Sequence, residues 1–284
     1  DQEGGRVQRL RSGASLLPAA RAYGALHDRQ GGRYAEAVSR AAGWLMASEL
    51  RALGMDLSFA PVLDLDSGCS GVIGDRAFHG TPAVASRLAG AFAAGMHGAG
   101  MRAVGKHFPG HGSVRGDSHL LLPEDERPID EIRDRDLLPF ARLAGPQRDA
   151  GGAFVDALMT AHVRYSSVDS LPPTYSSYWL QQELRTRIGF SGAIISDDLS
   201  MQGAADLGDM GSRVDAALDA GCELLLVCND RPAAIAALER LSQRGRLAPD
   251  CDWSRLAPFA VGQGPPADVA SWALSVAREL VSAD

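Results

Sequence analysis

Lysine is all but missing from this chain. Of its 28 basic residues only Lys106 is a lysine, and the rest are arginine. An ammonium on a flexible stem and a planar guanidinium are not interchangeable. The one position that escapes the arginine bias is therefore a candidate for a specific task, the alternative being a chance survivor. Positive charge as a whole is also short. The formal net charge is −7 and no basic patch stands out, which argues against a nucleic-acid surface. No run of eighteen or more apolar residues occurs, so nothing in the sequence reads as a membrane span. Cysteine is sparse: Cys69, Cys222, Cys228 and Cys251 follow no metal-binding spacing. They read as scattered reduced thiols, and a cytoplasmic location is the expectation. The chain opens on Asp1 rather than Met, so a targeting segment is neither supported nor excluded. No G-x-G-x-x-G follows the first visible strand, which removes the main signature of a doubly wound dinucleotide fold.

What the chain has is alternation. Its 284 residues are 45% apolar and 22% charged, ordinary values for a soluble globule with ample length for a core. Helix-like stretches at 35–54, 82–100, 130–145, 178–189 and 211–221 show apolar spacing of i, i+3, i+4. Each is followed by a short apolar run, at 57–66, 101–108, 153–162, 192–198 and 222–230. Dense Val, Ile and Leu in those runs marks strands buried on both faces. Regular alternation of this kind predicts a parallel sheet flanked by helices, and a (β/α)8 barrel in a single domain over 1–284 is the fold we expect.

The strands end in polar signatures: DLD, GKH, TAH, SDD and CND. Parallel strands point one way, so these ends converge on one rim, where a barrel builds its active site. In SDDLSM, Asp197 and Asp198 are adjacent at a strand end and point to opposite faces. One suits a nucleophile or metal ligand while the other braces a loop, unless the two are simply a cap for the next helix. The stretch GKHFPGHGSVRGDSH, 105–119, carries three of the seven histidines, Lys106 and Asp117. Asp117 accepting from one ring nitrogen of His119 would leave the other free for proton transfer. Lys106 and His107 sit where strand meets loop, placed for a polyhydroxylated ligand. His111, between two glycines, also fits a structural turn, and His162 either lines the pocket or supports it. His107, His111, Asp117 and His119 have metal-ligand chemistry, but the ammonium of Lys106 would oppose a cation, and neither metal nor cofactor is expected.

These residues carry a resemblance. DQEGGRVQR (1–9), FAPVLDLD (59–66), GDRAFHG (74–80), GKHFPGHGSVRGDSH and IISDDLSM (194–201) resemble the bacterial β-N-acetylglucosaminidases of glycoside hydrolase family 3. The similarity is greatest to the single-domain kind that acts in peptidoglycan recycling, and it runs in order from Asp1 to about Asp230. It implies Asp197 as nucleophile, His119 as general acid/base with Asp117 as its dyad partner, and Asp1, Arg9, Arg76, Lys106 and His107 as sugar-binding residues. It further implies exo-cleavage of terminal N-acetylglucosamine with retention, through a covalent glycosyl-enzyme. The substrate would be N-acetylglucosaminyl-1,6-anhydro-N-acetylmuramic acid with or without peptide, handled by a monomer. The family normally carries a first βα unit and a second strand ahead of DQEGG, so the barrel is expected to lack them. TAH stands at 160–162 where PAH is more usual.

The implied pair departs from the usual retaining arrangement of two carboxylates about 5–5.5 Å apart. An imidazole titrating near ~6.5 donates and retrieves a proton near neutrality without the tuning a carboxylic acid needs. The loop's glycines suggest that it closes over bound sugar. Two rival readings share the residues: a phosphorylase of the same family, and a sugar-binding but inactive scaffold. A metal hydrolase ranks behind both.

Overall fold

A computed structural model describes residues 1–115, 122–146, 154–244, 253–258 and 267–283. In chain order the elements begin with a hairpin, β1 (Gln2–Gly4) and β2 (Val7–Gln8), then α1 (Ala20–Gln30), α2 (Gly32–Ala52) and β3 (Leu57–Ser58). Next come α3 (Pro82–Gly98), β4 (Arg102–Phe108), β5 (Glu124–Asp125), α4 (Ile129–Asp134) and α5 (Leu138–Ala144). The second half holds β6 (Ala157–Thr160), β7 (Arg164–Tyr165), a π-helix at Tyr178–Ile188, β8 (Ala193–Asp198), α6 (Met210–Ala220), β9 (Leu224–Leu226), α7 (Arg231–Arg244) and α8 (Ala267–Ala283). No helix among the described residues is long and apolar enough to cross a membrane.

The main sheet runs β3-β4-β6-β8-β9, every pair parallel, so spatial order follows chain order. All five apolar runs named from the sequence supply its strands, and helices connect them. The strands are buried on both faces, as the unbroken apolar stretches require: Val104, Ala157, Ile194 and Ile195 are fully enclosed. Residues beyond both edge strands, Phe59 and Cys228, line one cleft together with Asp1, so the sheet curls into a half-barrel.

Two expectations change. Among the described residues the main sheet has five parallel strands, with β5 and β7 forming a separate parallel pair, so it is a half-barrel rather than a (β/α)8 barrel short of only its first βα unit and second strand. DQEGGRVQ contributes an antiparallel hairpin, because Gly4 and Gly5 both take positive φ and reverse the chain. The hairpin stands against the β3 edge, where the Gln2 N–H donates to Ser58 Oγ at 3.2 Å. The helix expected over 130–145 is two helices: Arg135 leaves helical angles at φ −130°, ψ −74°, and Pro139 has no N–H to continue the ladder back to the Arg135 carbonyl.

Behind the sheet, α2 and α3 pack backbone to backbone. A Cβ on Gly43 would lie 2.1 Å from Phe92 O, and one on Gly95 would lie 2.0 Å from Arg40 O. Fully buried Trp179 anchors the far side, edge-on to Phe108 and against Tyr165 with ring centroids 5.0 Å apart.

Candidate active site

At the C-terminal rim of the sheet lies a cleft of about 890 Å³. The hairpin and its flanks bring Asp1, Arg6 and Arg9, the short turn Gly74–Arg76 brings Arg76, and β4 brings Lys106 and His107. Asp197 and Asp198 come from the end of β8, with Cys228 and Asn229 from the segment after β9. His111 and Arg115 line it from the loop that follows β4.

Lys106 is 2% exposed, so it is no surviving surface lysine. Its Nζ lies 2.6 Å from Asp1 Oδ1 and 2.5 Å from Glu3 Oε1. The same Glu3 takes Arg76 in a two-pronged pair, with Nη2 to Oε1 and Nε to Oε2 each 2.9 Å. Burial alone would raise the Glu3 pKa, but Lys106 and Arg76 outweigh it and hold the carboxyl at about 2. Burial pushes the Lys106 ammonium down, with Glu3 pushing the other way. Arg6 is committed to Asp75 at 2.8 Å, whereas Arg9 and Arg115 are exposed and have no carboxylate at ion-pair distance among the described residues.

Lys106 and His107 are joined by a cis peptide bond, and both side chains line the cleft. His107 Nδ1 is 2.6 Å from Asp64 Oδ2, so that nitrogen carries the proton and Nε2 is left for the cleft. Asp64 is 1% exposed, and it also accepts from the backbone N–H of His107 and, at 2.6 Å, of His111. One buried carboxylate thereby fixes the ring of His107 and the base of the loop that follows. Burial favours its neutral form, but the imidazole and the N–H groups prevail and its pKa lies below the ordinary value. The loop base is held further by Tyr165 Oη donating to Gly110 O at 2.6 Å and Ser113 Oγ donating to Asp136 Oδ1 at 2.6 Å.

Asp197 and Asp198 divide as alternation predicts. Asp198 turns to bracing: its Oδ1 accepts from Ser200 N–H, Ser200 Oγ and Cys228 N–H at 2.7–3.0 Å, pinning the turns after β8 and β9. Asp197 Oδ1 accepts the Asp198 N–H at 2.8 Å, and among the described residues Oδ2 has no hydrogen-bond donor. Burial disfavours the Asp197 carboxylate, yet the imidazoles of His107 and His162, the Asp198 N–H and Lys106 lower its pKa. It stands ionised in the cleft at neutral pH.

His162 supports this from behind. Its Nε2 donates to Asp198 O at 3.1 Å, leaving Nδ1 to accept from Thr174 Oγ1 at 3.2 Å. Thr160 Oγ1 lies 2.8 Å from Thr174 Oγ1 and accepts the Asp197 N–H at 3.3 Å. This buried chain holds the backbone of Asp197, and burial keeps His162 neutral. His162 thus supports the site and does not line it.

Asp1, Arg9, Arg76, Lys106, His107 and Asp197, named from the sequence, all line this one cleft. Asp117 and His119 lie outside the described residues. Sequence reading missed Glu3, Asp64 and the Thr160–Thr174 link. The signal for the first two was present, since DQEGG and VLDLD each place a carboxylate in an otherwise apolar or glycine-rich run.

Residues 1–251 match the family described as glycosyl hydrolase family 3 N terminal domain. A β-hexosaminidase of Methylococcus capsulatus is 53% identical over 263 residues, covering 90% of this chain and 75% of that protein. One of Pseudomonas aeruginosa is 56% identical over 244 residues, covering 85% and 69%. Among solved structures, native NagZ from Neisseria gonorrhoeae superimposes with a TM-score of 0.87 at 40% identity, over 99% of this chain and 80% of that one. The same protein in complex with N-trifluoroacetyl-D-glucosamine gives 0.86 at 39% identity, with the same coverage.

Proposed function

Since this chain belongs to glycosyl hydrolase family 3 and is a glycoside hydrolase of the β-hexosaminidase kind, we propose that it releases terminal N-acetylglucosamine with retention, from peptidoglycan fragments bearing a 1,6-anhydro-N-acetylmuramic acid aglycone. The observation that carries this is an ionised Asp197 facing a cleft lined by Lys106, Arg76 and His107. In the first step Asp197 Oδ2 attacks the anomeric carbon as the glycosidic C–O bond breaks. A proton from the imidazolium of His119, oriented by Asp117, goes to the departing oxygen. In the second, water attacks the same carbon, His119 takes its proton, and the carboxylate is released. Asp1, Arg9, Arg76, Lys106 and His107 hold the hexosamine ring. This binding lowers KM, while the rate comes from Asp197 and His119. The setting is one catalytic domain of (β/α)8 type over 1–284, acting as a cytoplasmic monomer.

Trapping with a 5-fluoro N-acetylglucosaminyl fluoride followed by peptide mass spectrometry tests the assignment. The label is expected on Asp197, and a label on Asp198 overturns it. Asp197→Asn is expected to lower kcat on the order of a thousandfold or more. Proton NMR of the first product should show the β-anomer, and an α-anomer rules out double displacement. The same assay with phosphate added should still yield free sugar; sugar-1-phosphate would mark a phosphorylase instead.

A further inference from the structure

The chain's only lysine lies in a buried network that no sugar-binding role requires by itself, and its hub is a residue outside the proposed catalytic and sugar-binding sets. We infer that Glu3 is a positioning residue of this site: its single carboxylate engages Lys106 and Arg76 together, sets both cations in the cleft and keeps the lysine charged for the sugar. The inference rests on the reading above that Lys106 and Arg76 hold the hexosamine.

The geometry is specific. Among the described residues Glu3 Oε2 takes only Arg76 Nε, while Oε1 is shared between Arg76 Nη2 at 2.9 Å and Lys106 Nζ at 2.5 Å. The Glu3 side chain is 8% exposed, so water does not substitute for either partner. An ammonium has three donors. Glu3 and Asp1 occupy two, and the third remains for a ligand. On Arg76, the edge bonded to Glu3 fixes the plane of the guanidinium; Nη1 gives one N–H to Val72 O at 3.3 Å, and its other N–H and the second of Nη2 are left for the cleft. This also explains the lone lysine. A second guanidinium beside Glu3 would need an oxygen pair that Arg76 already occupies, whereas a point charge needs one oxygen.

Charge follows from the same contacts. The groups facing Lys106 are Glu3 and Asp1 from the hairpin, Arg76 from its turn, Asp197 from β8 and His107 beside it on β4. Burial and Arg76 oppose the ammonium, and Glu3 is the first of the groups that favour it. Without the Glu3 charge the ammonium loses its proton at lower pH, and sugar affinity falls with it as pH rises.

The test measures N-acetylglucosamine binding by calorimetry, and hydrolysis of 4-nitrophenyl N-acetyl-β-D-glucosaminide, across pH, for wild type, E3Q, E3D and K106M. For E3Q, Kd and KM should rise about tenfold or more while kcat changes less. The alkaline loss of binding should move down by about one pH unit or more. K106M should bind weakly and show no such alkaline limb, and E3Q should add nothing to the limb in the K106M background. A folded E3Q with wild-type Kd and a wild-type alkaline limb overturns the inference. Should E3Q fail to fold, E3D decides. It keeps the charge but is one carbon shorter, so it should lose affinity while keeping the limb, and wild-type affinity in E3D overturns the proposal. Wild type that does not bind the sugar, or K106M that binds like wild type, would instead sink the reading on which the inference rests.

Discussion

At the scale of single residues, the site is organised by buried carboxylates that do not touch the cleft's contents. Asp64 receives the Nδ1 proton of His107 and the N–H of His111, so Asp64→Asn replaces one acceptor oxygen with a donor. With the amide oxygen kept on the backbone N–H of His111, the NH2 faces the ring, and the imidazole regains a partner by moving its proton to Nε2, which turns the cleft-facing nitrogen from acceptor into donor. Nitrogen-15 NMR should find the proton of neutral His107 on Nδ1 in wild type and on Nε2 in the variant, with a loss of about 1–3 kcal/mol in stability. An unchanged tautomer would show that Asp64 does not set the ring. Glu3 makes a matching statement about pH. Its carboxyl sits at about 2 against an ordinary 4.5, so its stabilisation is complete above pH 4.5 and is lost as pH falls towards 2. Each pH unit between those values is worth about 1.4 kcal/mol, for a total on the order of 3 kcal/mol. Urea midpoints from pH 6 to pH 2 should fall less steeply for E3Q than for wild type over that window. Parallel curves would mean that folding does not depress the Glu3 pKa.

Elements were the most legible level of the sequence, and their failures have physical causes. Unbroken apolar runs located all five strands of the main sheet, because a strand covered on both faces has no polar positions to obscure it. The polar residues ending those runs identified Lys106, His107 and Asp197 for the same reason, since parallel strands deliver their ends to one rim. Glu3 and Asp64 were not legible as site residues. Their partners lie at sequence separations of 73 and 43, which no local period encodes. The α2–α3 crossing was likewise invisible, because a glycine in a helix reads as a weak propensity, not as a contact. Gly43 and Gly95 let two backbones meet, and either replaced by alanine puts a methyl about 2 Å from a carbonyl oxygen. Gly43→Ala should cost about 1–3 kcal/mol through overpacking, although alanine is the better helix former. Chemical denaturation measures this directly, and a stabilised variant would mean that the helices separate freely.

At the scale of the molecule, the cleft is where distant parts of the chain are tied together. It takes side chains from the hairpin, from the turn at Arg76, from β4 and β8 in the middle of the sheet, and from the segment after β9. The hairpin holds to this assembly through Lys106 and Arg76 on one side and Ser58 on the other, and it carries no helix of its own. A hexosamine in the cleft adds contacts to the hairpin and to the sheet at once, so binding should stabilise the parts of both that line it most. Ligand that binds only the native state stabilises by RT ln(1 + [L]/Kd), about 2.7 kcal/mol at a hundred times Kd. At about 2–4 °C per kcal/mol for a domain of this size, N-acetylglucosamine at that excess should raise Tm by about 5–10 °C. Amide exchange distinguishes a local clamp from general tightening. Added protection should concentrate in residues 1–9 and at the ends of β4 and β8, with α2 and α3 little changed. Protection confined to α2 and α3, with the hairpin exchanging as before, would place the sugar away from this cleft and remove the link between Glu3, Lys106 and the ligand.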